Sequence, residues 1–226
     1  MVSLFLRRVA PFLLLAPASA WGYGYTREED PLLKAVQVAV RSAREGDVAG
    51  ARAQVKRVEW QTDELKAPED LKVDFAPRLA AAHEGDPASE ARVVEAWANL
   101  VYLALLQKLH WNLKEELKEY HRAKARLDSA QAYYELVLAG NVKEDDRRRR
   151  EQDPQAPSRH EDVMRQLEKA RQALGTPGLF GVGARPPDPA AFREATVRLV
   201  GHLNAVFPSF VRPGPKESGT AEKEKR

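Results

Sequence analysis

The 226-residue sequence contains no cysteine, and this absence removes several kinds of chemistry. Without a thiol the chain cannot form disulfides, use a cysteine nucleophile, hold an iron–sulfur cluster, attach haem as c-type cytochromes do, or carry a lipid on an N-terminal cysteine. In any compartment, the fold must therefore be held together by its hydrophobic core rather than by covalent cross-links.

The sequence also lacks the common motifs of catalytic sites. It has no P-loop, no HExxH pair, no GxSxG elbow and no dinucleotide-binding fingerprint. The glycines at 178, 181 and 183 are loosely spaced in a proline-rich stretch that follows no strand, which is typical of a loop. Since no nucleophile–base or acid–base pair stands at a recognisable spacing, we expect a protein that is not an enzyme.

A strong excess of one charge is missing too. The chain has 36 Lys and Arg against 33 Asp and Glu, a formal net charge of +3. Acids and bases alternate along the sequence, whereas a nucleic-acid-binding surface needs basic residues gathered on one face. With 43% hydrophobic and 31% charged residues, the composition is typical of a soluble helical protein without a nucleic-acid partner.

Residues 1–20 have the features of a secretory signal peptide. Arg7 and Arg8 supply the positive charge, an apolar stretch follows at 9–15, and Ala-Ser-Ala at 18–20 is a small-residue cleavage site. The apolar stretch is much shorter than the roughly 20 residues that span a bilayer. We therefore expect export to the periplasm or the extracellular space, and a mature chain without a transmembrane segment.

Helix boundaries are well marked in the rest of the chain. Asp-Pro pairs, each an N-cap followed by a proline in the first turn, mark helix starts at 30–31, 86–87 and 188–189. Glycines mark helix ends at 46, 85 and 175. Apolar residues at helical spacing between these signals predict an all-α bundle of six or seven long antiparallel helices over residues 21–212, and a disordered polar tail over 213–226.

Three segments have more specific predictions. The helix that follows Asp47 is expected to stop before Pro68, and a weaker helix over 69–83 is expected to bend or begin at Pro77. The segment 88–139 contains neither proline nor glycine. It is either one helix of about 50 residues, roughly 75 Å long, or two helices with a break near residues 111–118.

Gly140 is expected to end that long segment, and residues 141–157 are expected to form a polar loop. The run Arg147–Arg150 in this loop suits an anion, an acidic lipid headgroup or a partner protein. Flanking acids oppose that interpretation and favour a solvated loop. Ser158 and Glu161 then form a capping box that starts the next helix.

The predicted core consists of the apolar residues that recur on one face of each helix. They are Leu33, Val36, Val40, Val55, Leu79, Leu103, Leu106, Leu113, Leu117, Leu127, Leu167, Leu199 and Leu203. The aromatic residues of the long segment, Trp97, Tyr102, Trp111, Tyr120, Tyr133 and Tyr134, either fill this core or form a surface for a ligand or partner. Filling the core is the more common role.

A candidate metal site lies on the long segment. If 88–139 is one continuous helix, His110 and His121 fall within about 20° of one stripe, and Asp128 and Glu135 continue it. Imidazole and carboxylate groups are ligands for first-row transition metals such as iron. This pattern indicates a metal-binding function as an alternative to partner binding.

Distance argues against a site made from this helix alone. Three helical turns separate His110 from His121 by about 16 Å, whereas one ion needs its donors about 2 Å away. Further ligands would have to come from another helix, such as His160, Glu161 or His202. The alternative is that the histidines flank the core and stay partly solvated.

Two short patterns resemble a known class of protein. Gly46-Asp47 before an Ala- and Arg-containing helix, and the run Ala-Gln-Ala-Tyr-Tyr-Glu at 130–135, look like the helical periplasmic domains that accompany bacterial iron-uptake systems. The resemblance covers residues 30–140 and implies a metal-linked role. The Arg-Glu-x-x-Glu motif of iron permeases and the His-x-x-Glu motif of the imelysin group are absent, so no binding residue transfers by motif.

These observations predict an exported helical protein that binds or scaffolds another extracytoplasmic protein. The alternative is a periplasmic, iron-linked protein that binds metal through His110, His121, Asp128 and Glu135.

Overall fold

The computed structural model describes residues 30–84, 90–178 and 183–213. Within these ranges the chain forms nine α-helices and one π-helical turn, and its β-structure is limited to an isolated bridge between Thr176 and Arg185. The predicted all-α fold is therefore confirmed.

Three predicted features lie outside the described residues: the leader at 1–20, the Asp-Pro pair at 86–87, and the tail from residue 214 onward. Among the helices that the structure describes, none is long and apolar enough to cross a bilayer.

The α-helices are, in chain order, α1 (Pro31–Arg44), α2 (Val48–Arg57), α3 (Glu59–Lys66), α4 (Ala76–Ala81), α5 (Glu90–Lys114), α6 (Tyr120–Tyr133), α7 (Ala139–Gln152), α8 (Arg159–Ala173) and α9 (Pro189–Val206). The π-helical turn, Tyr134–Leu138, connects α6 directly to α7. The count exceeds the predicted six or seven because the helix after Asp47 divides at Val58, and because a segment predicted to be a loop is helical.

The predicted helix starts are confirmed where the structure describes them. The side chain of Asp30 accepts hydrogen bonds from the backbone N–H groups of Leu32 and Leu33 at 2.9 and 3.0 Å. Asp47 and Asp188 cap α2 and α9 in the same way. These bonds satisfy N–H groups that have no partner within their own helix.

Helix α5 is the centre of the molecule. It contacts α1, α3, α4, α6 and α9, and its buried residues, which include Trp97, Leu100 and Leu103, face in every direction around its axis. A helix that is apolar all round is stable only when protein surrounds it. The neighbouring helices therefore present their apolar faces to α5.

Most of the predicted core is confirmed. Buried members are Leu33, Val36, Leu79, Leu103, Leu106, Leu117, Leu127, Leu167, Leu199 and Leu203. Val40, Val55 and Leu113 are only partly buried and pack against the core. Of the aromatic residues, Trp97, Tyr102, Tyr133 and Tyr134 are also buried, so the core role is confirmed for these four.

The long segment breaks between α5 and α6, as the two-helix alternative predicted. Glu116 and Leu117 have φ angles of 54° and 59°, a left-handed conformation that stops an α-helix. The buried Leu117 side chain anchors the corner. Arg126 closes it by donating to both carboxylate oxygens of Glu115, at 2.7 and 2.9 Å.

The prediction of a polar loop over 141–157 is wrong, and so is the prediction that Gly140 ends a helix. Helix α7 contains Gly140 and continues to Gln152. Acids and bases in this stretch stand three and four residues apart, so they pair along the helix surface: Glu144 with Arg147 and Arg148, and Asp145 with Arg149. Only residues 153–157 connect α7 to α8.

Candidate functional site

The predicted metal stripe loses its geometric basis because His110 and His121 lie on different helices. His110 is on α5, and the left-handed corner at residues 116–117 separates it from His121 on α6. His121 is exposed, whereas His110 is partly buried. The condition for a shared stripe, one continuous helix over 88–139, is therefore not met.

The two carboxylates of the stripe have protein partners. Asp128 accepts hydrogen bonds from Lys124 at 2.6 Å and from Arg171 of α8 at 2.7 Å. Burial opposes ionisation of Asp128, but these two hydrogen bonds outweigh it and lower the pKa of the carboxyl group. Glu135 accepts from Gln131 at 2.6 Å.

These pairings connect α6 to α8 and to the π-helical turn, and they do not bring the carboxylates together around one metal ion. Over the three described ranges, the structure contains no group of three or more His, Asp or Glu side chains arranged to hold an ion. His160, Glu161 and His202, the additional ligands considered from the sequence, lie on α8 and α9.

The most organised polar site instead begins at the π-helical turn. A π-turn adds one residue to a helical path and is often found at functional sites. Here it lets the adjacent residues Tyr133 and Tyr134 both be buried, in different directions: the hydroxyl of Tyr133 donates to Asp30 at 2.9 Å, and that of Tyr134 lies 2.7 Å from Nδ1 of His160. Adjacent residues of a helix cannot share one face, and the sequence would therefore place one of the two tyrosines at the edge of the core; the structure shows both buried instead.

Burial is the main influence on the protonation of both Tyr134 and His160. Burial raises the pKa of Tyr134, with a further rise from the nearby charges of Asp146 and Glu135, so the phenol keeps its proton. Burial, assisted by the charge of Lys143, lowers the pKa of His160, which favours its neutral form. The phenol either donates to Nδ1, which places the ring proton of a neutral His160 on Nε2, or accepts from a protonated Nδ1.

Asp146 holds the first turn of α8, and with it the backbone of His160. This buried carboxylate on α7 accepts hydrogen bonds from the hydroxyl of Ser158 at 2.8 Å and from the backbone N–H groups of Arg159 and His160 at 2.9 Å each. Burial opposes its ionisation, but the hydrogen bonds outweigh burial and lower the pKa of Asp146 to about 2. The carboxylate thus acts as a cap for α8 supplied by a neighbouring helix.

A cleft of about 560 Å³ opens over this arrangement, which we call the α7–α8 pocket. Its lining includes Lys143 and Arg150 of α7 and, at the start of α8, Ser158, His160 and Glu161. The volume lies in the range of small-molecule sites.

The positively charged side chains of the α7–α8 pocket differ in whether they have ion-pair partners. Arg147 is paired with Glu144 and Glu151. Among the described residues, Lys143 has no ion-pair partner, and Arg150 contacts only the backbone oxygen of Ala156, at 3.4 Å.

The pocket brings together Ser158, His160 and Asp146, but they are not arranged as a catalytic triad. The hydroxyl of Ser158 donates to Asp146 and accepts from the backbone of Glu161. The ring of His160 contacts Tyr134 rather than Ser158. A triad needs the imidazole within hydrogen-bond reach of the nucleophile, and the ring of His160 does not meet this condition for Ser158.

Sequence reasoning found parts of this site but not the site itself. Ser158 with Glu161 was identified as a capping box, and Ser158 does accept from the Glu161 N–H at 3.2 Å. The pairing of Tyr134 with His160 depends on the π-turn, which leaves no recognisable pattern in the sequence. A usable signal for α7 was present in the i,i+4 spacing of Asp145 and Arg149.

Comparison with known proteins gives no further guide: no family model, no curated protein and no solved structure matches this chain.

Proposed function

We propose that this chain is an exported, non-enzymatic helical binding protein that uses the α7–α8 pocket to hold an anionic group of another extracytoplasmic protein. The observation that carries this proposal is the position of His160, which lines the cleft while its ring contacts Tyr134 and its backbone N–H donates to Asp146. A binding group whose position is fixed before association does not have to be ordered when the partner arrives, and this favours affinity.

The charges of the pocket define the group that it accepts. The Nε2–H of His160, the ammonium of Lys143 and the guanidinium of Arg150 are donors, and two of them carry a positive charge. Glu161 is the remaining acid of the lining without an ion pair among the described residues. Positive charge therefore exceeds negative charge among the unpaired groups, and a carboxylate or another oxyanion of the partner suits this set.

Site-specific cross-linking tests the proposal. A photoreactive phenylalanine analogue in place of Glu161, produced in the source cells, is expected to capture one discrete partner on illumination. The same analogue at Lys56, an exposed residue of α2, serves as the control and is expected to give no such adduct. Adducts of equal yield and size at both positions, or at neither, would refute the proposal.

The charge requirement is tested in the same assay. Lys143→Gln with Arg150→Gln is expected to reduce the adduct at position 161 at least tenfold, because each charge-assisted hydrogen bond contributes roughly 1.5–3 kcal/mol. The matched pair Lys56→Gln with Arg57→Gln removes the same charge from α2 and should leave the yield unchanged.

Export is tested separately. If residues 1–20 are a signal peptide, the protein recovered from outside the cytoplasm begins at Trp21, as measured by intact mass and N-terminal sequencing. Recovery of the unprocessed chain from the cytoplasm alone would contradict export. It would leave the binding chemistry of the pocket to be judged by the cross-linking result.

The iron-linked alternative receives no specific support from the geometry, since the stripe of His110, His121, Asp128 and Glu135 does not form one helical face. Metal analysis of the purified protein and of a His110→Ala, His121→Ala variant tests it directly. We expect equal metal content in the two proteins.

A further inference from the structure

A second cleft, separate from the α7–α8 pocket, lies between α8 and α9. Its volume is about 800 Å³, and the segment Arg185–Pro189 forms one wall. Gln166 and Lys169 of α8 contribute to the opposite side, and Ala195 of α9 also lines it. This volume is large enough for a few residues of extended peptide.

The wall formed by residues 185–189 is held firmly in place. Thr176 and Arg185 exchange two backbone hydrogen bonds, at 2.9 and 3.0 Å, and the N–H of Asp188 donates to the backbone oxygen of Ala173 at 2.7 Å. Gly175, with φ +72°, allows the close return of the chain, since a Cβ atom there would lie 2.2 Å from the Arg185 oxygen. The cleft is therefore preformed rather than dependent on a moving loop.

Gln166 gives the cleft an unsatisfied hydrogen-bond acceptor. Its side chain is 3% exposed, and its Oε1 atom has no hydrogen-bond partner among the described residues. Leaving a buried acceptor unpaired opposes folding, because the acceptor has lost its hydrogen bonds to water. A ligand that brings an N–H group to Oε1 recovers that cost on binding.

The cleft also holds positive charge that is not committed elsewhere. Neither Lys169 nor Arg185 forms an ion pair within the part of the chain that the structure describes. Of the acids in the lining, Glu194 pairs with Arg198 at 2.6 Å, whereas Asp188 accepts from the N–H of Ala191 at 2.9 Å as the N-cap of α9 and keeps its charge. The unpaired groups of the described lining are thus two cations and one carboxylate, which leaves an excess of positive charge for an anionic group on the ligand.

Apart from Gln172, the remaining lining is apolar, with proline rings at 186, 187 and 189 and alanine side chains at 173 and 195. We propose that the α8–α9 cleft is a second binding site, which takes a short extended peptide bearing a carboxylate. A peptide N–H donates to Gln166, the carboxylate pairs with Lys169 and Arg185, and a small side chain lies against the prolines. This site does not depend on the function proposed for the α7–α8 pocket.

Three short peptides test the proposal by NMR titration of the purified protein, observed at the side-chain amide of Gln166. The first is an N-acetylated, C-amidated alanine–aspartate–alanine, and the second replaces its aspartate with asparagine. The third is acetylated trialanine with a free C-terminal carboxylate. The first and third separate a side-chain carboxylate from a chain terminus as the source of charge.

We expect saturable shifts of the Gln166 signals with the first peptide, the third peptide or both, and at least tenfold weaker binding of the asparagine peptide. Lys169→Gln with Arg185→Gln should weaken binding at least tenfold, whereas Lys56→Gln with Arg57→Gln on α2 should not. Gln166→Met should also lose binding while circular dichroism stays unchanged. If that variant unfolds, the result for the two surface cations decides.

Two outcomes would overturn the proposal. One is the absence of saturable shifts with every carboxylate peptide. The other is binding that is equal for the asparagine peptide or unchanged in the Lys169 and Arg185 double variant.

Discussion

The hydroxyl of Tyr134 lies 2.7 Å from Nδ1 of His160, and the two rings stack with their centroids 5.8 Å apart. The contact joins the π-helical turn to the first turn of α8, and it couples the tautomer of a histidine in a cleft to a fully buried phenol.

Removing the hydroxyl should loosen this contact without unfolding the protein. Tyr134→Phe is expected to lower the free energy of unfolding by about 1 kcal/mol, because it removes one hydrogen bond to His160, a residue that is only partly buried. Urea denaturation measures the change. Tyr133→Phe, which removes the bond to Asp30 instead, is the matched control and should leave the NMR signals of His160 in place, whereas Tyr134→Phe should move them.

Asp146→Asn should destabilise the junction of α7 and α8 more strongly. The pKa of Asp146 falls from an ordinary value of 3.8 to about 2, which corresponds to about 2 kcal/mol in favour of the folded state when the group is ionised. We expect a loss of that size at neutral pH. Asp145→Asn, at a more exposed carboxylate, should cost less than about 1 kcal/mol.

The stabilisation by Asp146 depends on pH in a direction set by the lowering of its pKa in the folded state. Since the folded-state pKa of Asp146 is the lower one, the stabilisation is complete above about pH 4 and is lost as the pH falls towards about 2. The difference in unfolding free energy between the wild type and Asp146→Asn should therefore shrink over that range. A difference that stayed constant down to pH 2 would contradict the role given to the ionised carboxylate.

His83 should make the protein less stable in mild acid. Trp97 donates to Nε2 of His83 at 3.1 Å, and burial, with the nearby charge of Arg52, lowers the pKa of His83 below 6.5. The unfolded chain then binds the proton more readily, so stability falls as the pH drops below about 6.5, by up to about 1.4 kcal/mol at pH 5.5. His83→Gln should remove most of this slope between pH 7.5 and 5.5.

Burial also lowers the pKa of His160, so its titration contributes a slope of the same sign, which remains in the His83→Gln variant. His160→Gln is the matched control. If the full slope survived in the His83 variant, the titrating group would have to be another one.

Glu116→Gly should raise stability. Glu116 adopts φ 54° at the corner between α5 and α6, and a left-handed residue with a side chain costs roughly 1 kcal/mol more than glycine. The lost contact to Lys118 is between exposed side chains and has little effect. Thermal unfolding should show a higher midpoint for Glu116→Gly and a lower one for Leu117→Gly, because Leu117 is buried.

Local chemistry made much of the fold predictable. Asp30, Ser158 and Asp188 each act as the N-cap that their side chains favour, and Gly46 and Gly175 have the positive φ angles that end a helix. These signals depend on a few adjacent residues and on bonds within one or two turns, so they can be read without knowledge of the tertiary structure.

The wrong predictions concern segments where the local sequence is compatible with more than one structure. Residues 141–152 are highly polar, a property shared by loops and by exposed helices that are stabilised by pairs such as Asp145 with Arg149. The α5–α6 corner contains no glycine or proline, and it forms because burial of Leu117 and the Arg126–Glu115 pair compensate for the backbone strain. Such tertiary compensation is not visible in a sequence window.

The candidate site was the least predictable part, because its residues are positioned by irregularities that change which way each side chain of a helix faces. A regular α-helix turns adjacent residues about 100° apart, so burial of both Tyr133 and Tyr134 at the π-turn depends on neighbours on two sides of the helix. The stripe that connected His110 to Glu135 assumed a regular helix throughout. The break and the π-turn both violate that assumption.

The tautomer of neutral His160 tests the central claim most directly, since the α7–α8 pocket requires a proton on Nε2. Long-range ¹H–¹⁵N NMR correlations near pH 7.5 distinguish the two ring nitrogens. We predict an Nδ1 signal typical of an unprotonated, hydrogen-bonded acceptor and a protonated Nε2, with this preference weakened in Tyr134→Phe. A proton found on Nδ1 in the wild-type protein would mean that the phenol accepts rather than donates, and it would contradict the account.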